Sequence, residues 1–555
     1  MDVSILSLRV YLGETTNEAD QSMYLSLLLK NKFCPVWQLL TLIVLCTFNS
    51  SAQQVYFNNV YSNVNYHFNI GLGVTALSSG NFFSADQISL FDGKTGTLVS
   101  EYNSQGEVIR QVEYVDPLHS VSPSWPATPI EINNKIYFSA YRRISGPMIH
   151  GVLFDYKDGI LNELTTCLFQ DSVSNTIRAM IPERDNICLV GASYKHMGPL
   201  STYGYRTHTY ISKYDTLGNK KWDNTYVAEN GYYDVYGYSV DTTIDNGYVV
   251  GGKAEYDPVD NRFSGAFILL TDSIGSKISV RYFPNDSLGN TEAHVLQLAN
   301  GNYLLTYAHS LEAWYDFMGR IQSDHRTREL VIAELQKHTL ETVWEKRVLQ
   351  KGWLNTLVIK KLIQQNDSTF LVFGGRAGDL GNFNPHPSPG WIYAFSQNGD
   401  SIWYRELAHK QNHEEGHYVM GGSLTPDGGM LMGGYTQMDT TDASGLRTWL
   451  IKVDSIGCPY PGCDTVYYKK VIAYKLFPNP TTGELTLELP DAETVDLSLF
   501  DRNGRIVLQK RLVLDHGAVR FNVHERLPLP TGTYLLELIT DDGNRIIEKI
   551  MVTHD

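Results

Sequence analysis

Asp245-Asn246-Gly247-Tyr248-Val249-Val250-Gly251-Gly252 is a turn, a short apolar run and a pair of glycines. The chain repeats this phrase. Asn366-Asp367-Ser368 leads into Thr369-Phe370-Leu371-Val372-Phe373-Gly374-Gly375, and Asp427-Gly428-Gly429 leads into Met430-Leu431-Met432-Gly433-Gly434. Arg184-Asp185-Asn186 precedes Ile187-Cys188-Leu189-Val190-Gly191-Ala192, and Asn300-Gly301 precedes Asn302-Tyr303-Leu304-Leu305. Weaker copies begin at Ser79-Gly80-Asn81-Phe82 and Asn133-Asn134-Lys135-Ile136. Each run is too short for a helix and is bounded by turn residues, so it reads as a strand buried on both faces.

A second phrase sits between these copies: an apolar strand, then a D-[ST]-x-G turn. Tyr210-Ile211-Ser212-Lys213-Tyr214 enters Asp215-Thr216-Leu217-Gly218, and Ala266-Phe267-Ile268-Leu269-Leu270 enters Asp272-Ser273-Ile274-Gly275. Trp449-Leu450-Ile451-Lys452-Val453 enters Asp454-Ser455-Ile456-Gly457. Ser396-Gln397-Asn398-Gly399 is a variant, and Trp403 follows it at the spacing at which Trp222 follows Asp215. Seven copies lie roughly 50–65 residues apart, each with room for about four strands. That period predicts a roughly seven-bladed β-propeller over residues 53–457, in which each small sheet buries its faces on its neighbours. The glycine pairs are expected where backbones approach closely or bulge near the axis. The tryptophans are expected to pack between blades. Two stacked β-sandwiches are the alternative architecture.

The last eighty residues read differently. Phe477-Pro478-Asn479-Pro480 is extended and cannot pair as a central strand, because two prolines fix φ and remove donors. Glu484 to Leu489 and Val495 to Phe500 alternate polar and apolar residues, the period of strands with one buried face. Asp501-Arg502-Asn503-Gly504 is a hairpin turn with Asn-Gly supplying positive φ. Leu529-Pro530-Thr531-Gly532 leads into the strand Thr533–Thr540 with Tyr534, and the final strand, Arg545–Val552, contains Lys549. Short strands at this density predict a small immunoglobulin-like sandwich. The ordered set, FPNP, LFDRNG, P-x-G-x-Y and the Lys549 strand, closely resembles the type A C-terminal sorting domain of the type IX secretion system of Bacteroidota. The resemblance covers residues 474–555. It implies export through that machinery, removal of the domain by a surface sorting protease, and residence outside the cell or on its surface. The repeat region, more loosely, is similar to propeller regions of secreted Bacteroidota proteins.

The other end agrees. Lys30 and Lys32 precede the apolar run Phe33–Phe48, followed by Asn49-Ser50-Ser51-Ala52. A positive start, a short apolar core and small residues predict a cleaved signal peptide within residues 1–52, with Met23 as an alternative start. The run falls short of the ~20 residues of a transmembrane helix, so no transmembrane anchor is expected in the mature chain. Net charge is −15 with no basic patch, which argues against nucleic acid as a partner. Of six cysteines, Cys34 and Cys46 leave with the signal. The remaining four suggest disulfides, Cys458–Cys463 around a Pro-Tyr-Pro-Gly turn and Cys167–Cys188 linking neighbouring strands. Residues 458–473 read as a linker.

Catalytic signatures are missing: no GxGxxG in a βαβ setting, no GxxxxGK[ST] and no GxSxG. His409, His413 and His417 have helical metal-ligand spacing, but Gly416 and the flanking strands place them in a loop, where the spacing has no such meaning. Asp257, Asp260 and Asn261, and Asp439, Asp442 and Ser444, are acidic clusters of the kind calcium prefers, without EF-hand spacing; no cofactor is expected. Two aromatic-rich insertions, with Trp314 and Tyr315 in one and Tyr203 and Tyr205 in the other, form the candidate ligand face. The expectation is a non-enzymatic binding protein for glycan or a surface protein. A propeller-type polysaccharide hydrolase or lyase and a structural or adhesive surface component are the alternatives.

Overall fold

The computed structural model describes residues 55–554, apart from 63–64, 146–147, 169–173, 197–204, 256–263, 285–288, 311–312, 316–320, 324–327, 349–356, 377–388, 410–415, 438–444, 462, 464–473, 490–493, 503–504, 526–527 and 541–544. The predicted signal peptide and most of the predicted linker therefore lie outside the described residues.

Seven antiparallel sheets follow one another along the repeat region. Blade 1 is Phe68–Ala76, Phe82–Ser89, Thr95–Tyr102 and Val108–Tyr114. Blade 2 has a split inner strand, Ser120–Pro123 and Ile130–Ile132, then Lys135–Ser145, Met148–Lys157 and Ile160–Cys167. Blade 3 is Ser174–Glu183, Asn186–His196, Tyr205–Asp215 and Lys220–Tyr226. Blade 4 is Asp234–Thr242, Tyr248–Glu255, Gly265–Thr271 and Lys277–Phe283. Blade 5 is His294–Gln297, Tyr303–Ser310, Arg328–Leu335 and Thr342–Val348. Blade 6 is Leu357–Gln364, Thr369–Arg376, Gly390–Ser396 and Ser401–Leu407. Blade 7 takes Gly416–Leu424, Met430–Gln437 and Leu446–Val453 from the end of the region and its outermost strand, Phe57–Tyr61, from the beginning. That strand pairs from Phe57 opposite Lys452 to Tyr61 opposite Thr448, so the ring closes through hydrogen bonds between the two ends of the chain.

The core is not one mass. Among the described residues, the repeat region holds seven apolar clusters, one for each gap between successive blades. Ile187 and Leu189 pack toward blade 2, while Cys188 and Val190 pack toward blade 4. Strands buried on both faces read as unbroken apolar runs, which is what the repeated phrase shows. Trp222, Trp344 and Trp403 fill the same gaps. A Cβ added at Gly275, Gly399 or Gly457, each in the turn of a following blade, would meet Trp222, Trp344 or Trp403 of the preceding one.

A disulfide joins Cys458 and Cys463 just past the last propeller strand. The expected Cys167–Cys188 bridge is not formed, and both are buried free thiols. Side-chain alternation explains the correction. Cys167 faces the gap between blades 2 and 3, whereas Cys188 points through the opposite face of blade 3 toward blade 4.

The C-terminal domain is a two-sheet sandwich. One sheet orders Lys475–Phe477, Glu484–Glu488 and Ala518–Asn522; the other orders Ile506–Val513, Thr494–Phe500, Gly532–Thr540 and Arg545–Val552. Its core is mostly leucine from the alternating strands. Asn479 explains one element of the FPNP motif. Its side-chain amide donates to the Lys549 carbonyl at 2.8 Å and its Oδ1 accepts from the Met551 amide at 2.9 Å, adding a rung beside the last strand. Tyr534 donates its hydroxyl to the Pro530 carbonyl at 2.9 Å, and Gly532 pairs with Val552. Phe477, Pro478, Pro480 and Lys549 are exposed. Asn503 and Gly504 lie outside the described residues.

Candidate functional site

Each blade's innermost strand faces the propeller axis, and these strands share one irregularity. In blade 3, Ile177 pairs with Gly191 and Ala179 with Val190, leaving Arg178 unpaired. The same one-residue bulge isolates Leu72 in blade 1, Tyr238 in blade 4, Lys360 in blade 6 and Met420 in blade 7. In blade 5, Asn290 bridges His309 and His294 pairs with Thr306, which places one extra residue around Glu292. Blade 2 expands the bulge into the segment 124–129, between Pro123 opposite Ala140 and Ile130 opposite Tyr137. A bulged residue leaves the ladder and is re-aimed.

In blades 3, 4, 6 and 7 a glycine opposite the bulge accommodates this geometry, whereas in blade 1 Asp86 stands opposite Gly71. A Cβ at Gly191, Gly252, Gly374 or Gly434 would collide with the carbonyl oxygen of Thr176, Tyr236, Val358 or Tyr418. Each of those residues lies two before a bulged one. The repeated glycine is therefore the partner of the bulge.

The bulged side chains meet across the axis. The Lys360 ammonium lies 4.1 Å from the centroid of the Trp125 ring. These residues belong to blades 6 and 2, which are not neighbours, so the contact crosses the propeller axis. The Lys361 ammonium donates to Thr128 Oγ1 of blade 2 at 3.3 Å and to the Gly422 carbonyl of blade 7 at 3.4 Å. The Arg178 guanidinium stacks 4.4 Å over Tyr238. His294, next to the ring, has its Nε2 at 3.2 Å from the Ile359 carbonyl.

Charge in the ring is unbalanced. Lys360 is a buried cation, Arg178 and Lys361 are half-buried ones, and Glu292, also half-buried, is the carboxylate among the bulged positions. None of the three cations forms an ion pair with a carboxylate among the described residues, and Nε of Arg178 is buried without a hydrogen-bond acceptor there. Burial pushes both lysines down to about 8. Burial pushes His294 down to about 4, leaving it neutral at pH 7 with Nε2 as donor to Ile359. Burial alone would raise the Glu292 carboxyl, but the Lys360 ammonium and its other basic neighbours hold it below its usual range. Trp125 remains 42% exposed among these groups, so solvent reaches the ring. Cations beside an exposed aromatic face suit an anionic or sugar-like ligand.

Strand direction places the rest. The second strands of the blades all end, and the third strands all begin, at one end of the propeller. The opposite end carries the short turns of the two repeated phrases. Trp314 and Tyr315 belong to a small hairpin, Ala313–Tyr315 with Ile321–Ser323, inside the blade 5 connection. Tyr205 begins the third strand of blade 3. The backbone thus brings these positions to one end. Their side chains, and Tyr203 entirely, lie outside the described residues. Both calcium-like clusters and His413 lie outside them too. His417 is structural: its Nε2 accepts from the His409 amide at 2.8 Å and its ring packs on Trp449. Among the described residues no group of three or more His, Cys, Asp or Glu is placed to hold a metal, and no helix is long and apolar enough to cross a membrane.

Sequence reasoning missed the ring. The ring positions lie six to eight residues ahead of each turn phrase, and their chemistry differs from copy to copy.

Among solved structures, the chain is similar to the α-L-arabinofuranosidase Arb93A of Fusarium graminearum, at 10% identity and a TM-score of 0.40, over 61% of this chain and 94% of that one. It is similar to the α-L-arabinanase of Penicillium chrysogenum, at 11% identity and a TM-score of 0.38, over 62% and 95%. It is also similar to PorZ, a surface component of the type IX secretion system of Porphyromonas gingivalis, at 11% identity and a TM-score of 0.25, over 87% and 81%. Likeness at this level says nothing of substrate or activity. Among curated protein sequences none matches the chain. Residues 475–553 match the secretion system C-terminal sorting domain, so the chain carries the sorting tail of type IX secretion cargo behind an all-β propeller.

Proposed function

We propose that the protein is a non-enzymatic binding protein, delivered to the cell surface or released from it, whose ligand enters the propeller axis from the end where the second strands finish and the third begin. The sorting domain implies export to the cell surface or secretion. In this reading the signal peptide is removed first and the sorting domain afterwards, by a surface protease. The observation that carries the binding role is the axial ring, where the half-buried Arg178 and the buried Lys360 form no ion pair among the described residues beside the exposed Trp125. An excess of desolvated positive charge weakens a fold, so its presence beside an exposed aromatic side chain supports a ligand. Hydrolysis of glycosides usually uses two carboxylates; the bulged positions supply Glu292. The test is a glycan array run beside a broad polysaccharide hydrolase and lyase screen on the full chain. Retention of intact glycan is expected. Release of products from any polymer, lost in Glu292→Gln, would establish the enzyme reading instead.

A further inference from the structure

The ring's composition specifies more than a binding role. Its cations outnumber its carboxylate although the chain as a whole carries a net charge of −15. A cationic site sunk in an acidic protein does not gather anions by long-range attraction, which the outer surface opposes. It selects them at short range, after the ligand has entered. The aromatic member adds a second requirement. Trp125 has the Lys360 ammonium 4.1 Å from its ring centroid and is still 42% exposed. A flat apolar face beside a cation fits a pyranose ring that carries its negative charge on the same residue. Arg178 completes the fit. Its buried Nε lacks an acceptor among the described residues, and a guanidinium is the side chain best shaped for a planar carboxylate or a sulfate.

Resting on the binding reading above, we propose that the axial ring takes an anionic saccharide, stacking one sugar ring on Trp125 while its acidic group is held by Arg178 and Lys360. Carboxylate and sulfate share the chemistry required, and the experiment separates them.

Titration calorimetry of the full chain would use three probes: an oligogalacturonate, its carboxyl-reduced neutral counterpart and a sulfated oligosaccharide of similar length. Binding of at least one acidic probe is expected, with the neutral counterpart weaker by about tenfold or more, the loss usual for a charge-assisted contact. Higher salt should weaken the acidic probe more than the neutral one. Arg178→Gln and Lys360→Met should each remove most of the difference between acidic and neutral probes. Trp125→Ala should weaken both. Circular dichroism and the unfolding midpoint confirm that each variant folds, and Lys360→Arg, which keeps the charge, should retain the preference. Preference for oligogalacturonate assigns a carboxylate, and preference for the sulfated probe a sulfate. Equal affinity for acidic and neutral probes overturns the anionic class and leaves the binding reading standing. Failure of all three to bind overturns the proposal. Cleavage of any probe overturns the binding reading itself.

Discussion

Gly374 and Gly375 stand side by side in the second strand of blade 6, yet replacing them with alanine should give opposite outcomes. A Cβ at Gly374 would lie 1.9 Å from the Val358 carbonyl oxygen and 3.0 Å from the carbonyl carbon. A Cβ at Gly375 would meet nothing closer than the Val419 amide nitrogen at 3.3 Å. The obstacle to Gly374→Ala is backbone, so no rotamer relieves it. Reaching ordinary contact requires the Val358 carbonyl to move by more than 1 Å, judged against the ~3.2 Å of close heavy-atom approach. Val358 is held in the ladder opposite Gly375, and the move breaks that pairing. Overpacking of a tight site costs about 1–3 kcal/mol, and a buried backbone group left unpaired costs about 1–3 kcal/mol more. The lower entropy of the unfolded alanine chain returns only about 0.4–1 kcal/mol. The expected net loss is about 2–5 kcal/mol for Gly374→Ala and within about 1 kcal/mol of zero for Gly375→Ala. Urea unfolding followed by intrinsic fluorescence measures both, and the two midpoints should separate clearly. A Gly374→Ala midpoint equal to that of Gly375→Ala would refute the claim that the glycine accommodates the bulge. The same variant should also disturb ligand binding, because Val358 lies two residues before Lys360.

Three further outcomes follow from contacts elsewhere. Asp86 is buried with its Oδ2 accepting from Thr448 at 3.0 Å, near Ser84, Tyr61 and Tyr102, and burial raises its carboxyl to about 7. The stability linked to its protonated form is complete below about pH 4 and is lost as pH rises toward 7, on the order of 4 kcal/mol in all. Asp86→Asn should therefore be more stable than the parent at pH 8, with the gap closing by pH 4 in paired urea titrations; a gap independent of pH would reject this. Cys458→Ser should cost about 2 kcal/mol, the value for so short a closed loop, and thermal unfolding with and without reductant should show the parent moving to the variant's midpoint. Asn58→Ala removes the acceptor of the Trp449 indole N–H, at 2.7 Å between the closing strand and blade 7. A loss of about 1–3 kcal/mol is expected, and proteolysis near residue 55 should accelerate with it.

What was legible in the sequence was what each copy repeats. Turn residues mark themselves because positive φ favours few side chains: Asn133, Asn134, Arg184, Asn246, Gly301 and Gly428 all take it in the turns of the first phrase. Apolar runs mark buried strands, as in Gly265–Thr271, which is buried at every position. Local chemistry also decided Cys458–Cys463. The distant pair failed because a thiol's face is set by strand alternation and by which blade lies on that side, and sequence spacing contains neither. The His409–His417 cluster read as a loop in the sequence, and its described members are packing and hydrogen-bonding partners.

The ring was hidden for a deeper reason. A bulge is a relation between two strands, and no single strand encodes it. Its imprint in the chain is indirect: the glycine whose missing Cβ admits a carbonyl, found one strand later. The bulged residue, freed from the ladder, faces neither neighbouring blade and has no packing duty to preserve. Ile177 and Ala179 flank Arg178 as Val419 and Gly421 flank Met420, so in these two blades the surroundings are small or apolar while the central residue changes; in blade 6 the flanking residue Lys361 is charged as well. A repeat fold can therefore alter its axis one residue at a time without repacking the gaps that hold it together. Leucine or methionine there would be the stable choice, and blades 1 and 7 make it. Blades 3 and 6 instead place an arginine and a lysine there, the latter pushed down to about 8 by desolvation. Charge at that position is what the proposed anionic-saccharide site would use.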